Sequence, residues 1–503
     1  MKTRVCAALL GAVGSICSSL ARADFAKGYA AFKARDYAAA AKEWGDAARA
    51  GDAQAQHNYG YLYRHGLGVA KDDALATSWY RKAAEQGRSD AQYALGVSYN
   101  RGLGVSQDYA QALIWFRKAA AQGDAPAQFN IGVAYDKGHG VAQDDAQAEQ
   151  WYRLAAEQGF ASAQYNLGTL YYAGRGRTQD LDGALKWFRK AAEQGSANAQ
   201  NSLGVAYEKG RGVQRDFAEA VNWYRKAAVQ GSPLGQVNLG AMYEYGKGVE
   251  KNEAEAAEWY RKSAAQGFAQ GQFNLGAAYE AGRGVAQDSA AALDCFRKAA
   301  EQGHAMAQYN LGVRYRSGRS VVQDDAQAAG WYRKAAEQGF ALAQYNLGVM
   351  YGEGTGVTRN LAEAVGWYRK AAEQGVASAQ YNLGLVYHNG GPGLPQDATE
   401  SVRWYARAAA QGYTEAQQNL GVDYLEGNGV PRSDAEGCFW LMLATSKKLS
   451  LRTERDAACA RLPSSDSVDV QVRVANWHTK PEQQQPLDGI DIPPAKSEQG
   501  GAR

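Results

Sequence analysis

The chain has 503 residues, a length that excludes a single compact core, because cores stop growing at about 250 to 300 residues and longer chains divide or repeat. Glycine is abundant at 58 residues and proline scarce at 10, which suits helices punctuated by glycine and argues against strands joined by turns. A net charge of only +3 excludes the strongly basic field by which nucleic acid is bound.

In chain order, residues 1–23 read as an export signal. Lys2 and Arg4 make a basic start, Val5 to Leu20 a mostly apolar core, and Ala21-Arg22-Ala23 a small-x-small cleavage site ahead of Asp24. The core is too short and too weakly apolar to anchor the chain, and no later stretch approaches membrane-spanning length, so no transmembrane segment is expected in the mature chain. Cys17 lacks the Leu three residues earlier that a lipoprotein signal places there, which favours a free product over a lipid-anchored one. Cleavage after Ala23 removes three cations and no acid, and the remaining chain is neutral. The expected location is the periplasm, or the exterior after secretion.

Residues 24–51 form an irregular start, expected to be an N-terminal capping helix pair. From residue 52 to 446 the sequence repeats. Trp79, Trp115, Trp151, Trp187, Trp223 and Trp259, then Cys295, Trp331 and Trp367, follow one another every 36 residues. The step is 37 to Trp404, because Gly390 to Pro395 carries one extra residue, and 36 again to Trp440. A loop insertion that leaves its flanks intact is what a stack of discrete units predicts.

Each unit reads as helix, loop, helix. In the unit from Ala307 to Gly339, Ala307, Leu311 and Tyr315 make the apolar stripe of a first helix, and Gly312 permits close approach of a neighbour. The loop has the form Gly-x-Gly-Val, as at Gly102 to Val105 and Gly282 to Val285, where paired glycines supply positive φ. Asp108 with Gln111, Asp144 with Gln147, Asp216 with Glu219 and Asp397 with Glu400 have capping-box spacing and mark the start of the second helix. The second helix turns Ala328, Trp331, Tyr332, Ala335 and Ala336 inward and Arg333, Lys334 and Glu337 to water, and Gly339 ends it. A helix pair this short cannot bury its stripe alone, so the units must stack. The first-helix Ala-Gln or Gly-Gln pairs, from Ala55 to Ala416, count eleven units after the irregular start. Residues 447–480 are expected to be C-terminal capping helices, with an amphipathic stretch from Leu451 to Leu462, and residues 481–503, rich in Gln, Pro and charge, a disordered tail.

Three cysteines survive cleavage, an odd number that is no disulfide framework. Cys295 stands where other units have Trp and reads as a small buried hydrophobe and not as a reactive thiol. Cys438 and Cys459 are candidates for one bridge in an oxidising compartment. Nothing in the sequence points to catalysis, which needs unlike groups at one point where this chain spreads like residues along a line. There is no Ser-x-x-Lys, no Gly-Lys-Ser/Thr after the paired glycines, and no pair among the six histidines at ligand spacing. No cofactor, metal or catalytic residue is expected.

The run Ala-Gln-Tyr-Asn-Leu-Gly, then Tyr, then Gly-x-Gly-Val, then Trp-Tyr-Arg-Lys-Ala-Ala-Glu-Gln-Gly is nearly whole from Ala343 to Gly375. It resembles the Sel-one-like repeat (SLR) family, a branch of the tetratricopeptide-like superfamily, over about Asp24 to Thr445. The tight Phe32 to Tyr37 connection resembles a plain tetratricopeptide hairpin. The resemblance implies an all-α fold, an α-solenoid built as a right-handed superhelix of about twelve antiparallel helix pairs, which scaffolds protein complexes. Exported bacterial members are associated with envelope assembly, signalling or host contact. Some secreted relatives staple each unit with a disulfide, and this chain, with three mature cysteines, departs from them and must rely on packing.

The resemblance also implies that first helices line the concave side. The outward row there is Tyr93, Phe129, Tyr165, Phe273, Tyr309, Tyr345 and Tyr381, with a second row of Val97, Val133, Val205, Val313 and Val349. One reading is a groove for an extended peptide or a partner helix; the other is that these rings only fill the space between neighbouring first helices. His57, Asn201, Val237 and Gln418 interrupt the row. A ladder of Asn130, Asn166, Asn238, Asn274, Asn310, Asn346 and Asn382 is expected to bond inter-helix backbone groups. Pairs such as Arg81-Lys82 are expected on a solvated convex face. The leading expectation is thus an exported adaptor for protein or peptide partners in the cell envelope, with a periplasmic regulator that sequesters an enzyme, or a peptidoglycan or other glycan binder, as alternatives.

Overall fold

The computed structural model describes residues 25–391, 393–446 and 449–480. The expected export signal and tail lie outside the described residues. Among the described residues the protein is helical throughout, apart from one isolated bridge between Gly391 and Leu394. The helices pair in sequence as an α-solenoid requires, and they form two compact units, one ending at Gln230 and the other beginning at Gly231.

The first unit opens with a helix over 25–33 and the helix Tyr37–Arg49, whose Trp44 is buried against Phe25 and Phe32. Every later hairpin follows one plan, shown by Ala341–Glu353 and Leu361–Glu373. The first helix stops because Gly354 turns left-handed at φ +79°. The second starts because a side chain caps it: Asp108 accepts from the N–H of Gln111 at 2.9 Å, Asp144 from Gln147 at 3.0 Å, Asp216 from Glu219 at 3.0 Å and Asp397 from Glu400 at 2.9 Å. The reciprocal half of the capping box is replaced. The N-cap N–H groups of Asp108, Asp144, Asp216 and Asp397 donate to the carbonyls of Tyr99, Tyr135, Tyr207 and Tyr387. The hairpin turn presents these last-turn carbonyls, which have no partner within their own helix, so a Gln or Glu side chain is not needed.

The second loop glycine does more than turn the chain. At Gly284, φ is +68° and an added Cβ would overlap the carbonyl oxygen of Glu253, which begins the second helix of the preceding hairpin. The same overlap with the preceding hairpin recurs at Gly68, Gly104, Gly356 and Gly429, so these loops rest on their neighbours through a glycine. One repeat breaks this rule with Ser320, exposed and held at φ +62°. A left-handed L-residue costs roughly 1 kcal/mol, so Ser320→Gly is expected to raise the urea unfolding midpoint by an amount equivalent to about 1 kcal/mol; a lowered midpoint would contradict this.

Packing couples hairpins as the sequence requires. Tyr332 lies on Gly312, where a Cβ would meet its ring, and Ala335 and Ala336 are buried. Trp331 packs on the core around Phe296 in the preceding hairpin. A glutamine ladder adds a polar link. Gln344 accepts from Gln374 of its own hairpin at 2.7 Å and donates to the carbonyl of Ala336 in the preceding one at 3.0 Å. The same relay recurs at Gln308, with Gln338 and Ala300, and at Gln164, with Gln194 and Ala156. Gln344→Leu leaves the amide of Gln374 with only a long bond to Lys370, 3.4 Å away, and removes a buried bond between hairpins. The expected loss is about 1 to 2 kcal/mol, read as faster amide exchange in Leu361–Glu373; unchanged exchange would show the ladder to be idle.

The C-terminal end is closed by Arg452–Cys459 and Ser464–Ala475, packed on Asp434–Thr445 through Leu441, Ala458 and Val470. Cys438 and Cys459 form a disulfide with their Cα atoms 5.0 Å apart. Cys295 is free and half-buried beside Ala256, Tyr260 and Leu275, and burial pushes its thiol pKa up.

Candidate functional site

The aromatic row is not uniform along the chain. In the first unit Phe129 and Tyr165 are 2 % and 6 % exposed, which corrects their reading as groove residues. Phe129 is covered by Phe160 of the next hairpin, with ring centroids 5.3 Å apart, and both rings belong to one continuous core. Tyr93 is half-buried over Phe116, and Val97 and Val133 are half-buried beside these rings. At the interrupted positions Asn201 of the first unit and Val237 of the second are buried, and burial lowers the pKa of His57.

In the second unit the row stays partly open. Tyr309, Tyr345 and Tyr381 each lie against a tyrosine of their own second helix, Tyr332, Tyr368 and Tyr405, with centroids 5.8, 6.2 and 5.9 Å apart. This contact covers part of each ring, and the three tyrosines stay half-buried. The residue that opens the next first helix flanks the ring: Phe340 beside Tyr309 and Tyr413 beside Tyr381, both at 5.1 Å, and His304 beside Phe273 at 4.8 Å. One turn along, Val349 and Leu385 are half-buried and Val313 is 38 % exposed. With Met306 and Leu342 one turn the other way, three successive first helices present an uncharged strip of rings and aliphatic groups.

Where the partners of the asparagine ladder are defined, at Asn130, Asn346 and Asn382, they are not the backbone of a neighbouring helix. Asn346 sits against the hydroxyl of Tyr309 and Asn382 against that of Tyr368, each in the preceding hairpin, while Asn130 donates to Pro126 of its own helix at 2.8 Å. Neighbouring helix backbones are already paired internally, so tyrosine hydroxyls are the available acceptors. At the far end of the strip Arg316 pairs with Glu353 of the next first helix at 3.5 Å, and buried Arg314 pairs with Glu280 at 2.8 Å.

Other charged groups are placed by aromatic contacts. Arg81 donates to the Tyr99 hydroxyl at 2.8 Å and exposed Lys82 lies 3.9 Å from the Trp79 ring centre, a pattern repeated at Arg117 and Lys118. His304 accepts from the N–H of Ala307 and faces Gln270 at 3.0 Å, and burial pulls its pKa down to about 4. Asp423 is buried where sister hairpins carry Leu170, Met242, Met350 or Val386. Among the described residues no group of three or more His, Cys, Asp or Glu is placed to hold a metal, and no helix is long and apolar enough to cross a membrane. Such a surface is suited to receiving apolar side chains.

Comparison with known proteins places this geometry. The Sel1 repeat model matches eleven consecutive segments, from 53–87 to 414–447. A protective antigen of uropathogenic Escherichia coli with an SLR fold is 39 % identical, over 87 % of this chain and 94 % of that one, with a TM-score of 0.63. A Sel1 repeat protein of Oxalobacter formigenes is 34 % identical, over 63 % of this chain and 94 % of its own, with a TM-score of 0.50. A search of the curated proteins found no match. Sel1 repeats are in general non-catalytic scaffolds for protein interaction. The chain, matched along most of its length, belongs to the Sel1 repeat family.

Proposed function

We propose that this protein is an exported adaptor that binds a segment of a protein partner on the first-helix strip of its second unit. The observation that carries the reading is the uncharged, half-open run of Tyr309, Tyr345 and Tyr381 with Val313 and Val349. Tyrosine gives large contact area at little entropic loss, and here each ring is held in place by a second ring beneath it. Export is supported by the signal-like residues 1–23 and by the Cys438–Cys459 bridge, since disulfides persist in oxidising compartments. It is supported too by the Escherichia coli relative, which is a protective antigen.

The test is crosslinking and affinity capture from envelope extract, with the wild type beside a Tyr309→Ala, Tyr345→Ala, Tyr381→Ala variant. A discrete protein captured by the wild type and lost from the variant is expected. Retention by both would move the site off this strip. No protein partner, with salt-resistant retention on peptidoglycan instead, would favour a glycan. Export is tested by the mature N-terminus, expected at Asp24 in the periplasmic or secreted fraction and contradicted by an intact Met1 in the cytosol.

A further inference from the structure

We propose that the outer face of the helix Leu181–Glu193, with the loop at Gly212 and Val213, binds a phosphate group carried on a polyol, as in a sugar phosphate. The site lies in the first unit and uses no residue of the tyrosine strip.

The cleft has a local cause. At Gly68, Gly104, Gly284, Gly356 and Gly429 an added Cβ would overlap a backbone carbonyl of the preceding hairpin. At Gly212 it would first meet the Cβ of Leu181 and the Cδ1 of Leu185, both at 2.9 Å, with the nearest backbone atom at 3.4 Å. Two leucine side chains thus hold this loop off the helix. An open cleft of about 330 Å³ remains between them, at the lower end of the roughly 300 to 1,000 Å³ of small-molecule sites. Its floor is apolar, made by Leu185 and Val213, which pack in the core below.

The wall is charged. Asp182, Lys186, Arg189, Lys190 and Glu193 line the cleft and, three or four residues apart, share one face of the helix. Lys186 stands where sister helices have Ser78, Ile114, Gln150 or Asn222, so this face gains a cation that those lack. Among the described residues no carboxylate pairs with Lys186, Arg189 or Lys190. Two of the three are nevertheless held in place. Arg189 donates to the hydroxyl of Tyr207 in the next hairpin at 3.1 Å, and Lys190 lies 4.4 Å from the Trp187 ring centre. Ordering them in advance lowers the entropic cost of binding. A phosphate monoester brings about −1.5 to −2 charges at pH 7 and three strong acceptor oxygens, which matches three cations without acidic partners. Asp182 and Glu193, toward the two ends of the face, repel a bare anion but accept hydrogen bonds from hydroxyl groups. Cations for the phosphate, carboxylates for hydroxyls and an apolar floor for the carbon skeleton together describe a phosphorylated polyol.

The experiment titrates glucose 6-phosphate into the full chain at low salt, followed by calorimetry, beside glucose alone and inorganic phosphate alone. Saturable binding of one equivalent is expected, at least tenfold tighter than either half of the ligand. Lys186→Ser, which copies the sister Ser78, is expected to weaken it at least fivefold without moving the thermal unfolding midpoint. Lys186→Arg is expected to keep it within twofold of the wild type. A glycerol phosphate polymer, which carries the group as a diester within a chain, separates two sources of this chemistry. Tighter binding of the polymer, lost in Lys186→Ser, assigns the cleft to an envelope polymer; weaker binding assigns it to a soluble monoester, and either supports the site. Inorganic phosphate binding as tightly as glucose 6-phosphate would reduce the cleft to a cluster of surface cations and overturn the proposal. So would an absence of saturable binding at millimolar ligand, or binding unmoved by Lys186→Ser.

Discussion

Gly284→Ala is expected to destabilise the second unit by about 3 to 5 kcal/mol, whereas Gly282→Ala, two residues away, costs about 1 to 2 kcal/mol. Both glycines have positive φ, +66° at Gly282 and +68° at Gly284. They differ in their surroundings. A Cβ at Gly282 would meet nothing closer than the Cβ of Gln287 at 3.4 Å, but one at Gly284 would overlap the carbonyl of Glu253. Backbone can yield there only by moving the loop off the preceding hairpin, which opens the stack that sets the spacing of the tyrosine strip. Urea unfolding of the two variants side by side, with amide exchange in Glu253–Ala265, measures this. Equal losses would show that the left-handed turn alone matters and that the loop does not bear on its neighbour.

Asp423→Asn is expected to do the reverse and stabilise the C-terminal repeats at neutral pH. Asp423 is 3 % exposed, its Oδ2 has no hydrogen-bond partner, and Asn428 alone donates to Oδ1, at 3.2 Å. Burial raises its pKa from 3.8 to about 6, against weaker opposing effects of Asn428 and His388, and Glu426 adds to the rise. The native state therefore holds a proton that the unfolded chain has released between about pH 4 and pH 6, so stability falls as pH rises through that window. Above it the ionised side chain costs the fold about 3 kcal/mol, at roughly 1.4 kcal/mol per pH unit. The amide removes this cost. A higher urea midpoint for the variant at pH 7.5, converging on the wild type at pH 4, is expected. A variant less stable than the wild type at both pH values would contradict the assignment.

The contrast between these residues shows what the sequence could and could not carry. The 36-residue period, the Gly-x-Gly loops and the Asp caps each have a local physical cause, so the helix pairs and their stacking were readable from residue types alone. The glutamine ladder was present at Gln56, Gln92 and every sister position, but repetition does not reveal that its partner is the glutamine 30 residues later and the carbonyl 8 residues earlier. Asp423 and Arg314 break an otherwise mostly apolar column, and that break was a signal open to sequence reading. The tyrosine row was not separable in the same way. Tyr165 and Tyr345 stand in nearly identical motifs, yet one is buried and the other half-open, because exposure depends on how neighbouring hairpins pack and not on the residue itself.

The account turns on the first-helix strip of the second unit as the working surface, and the most direct measurement is the affinity of the captured partner for two single variants by titration calorimetry. Tyr345→Ala is expected to weaken binding at least tenfold and Tyr93→Ala, in the first unit, by less than twofold. The opposite order, or equal weakening by both, would place the binding surface elsewhere.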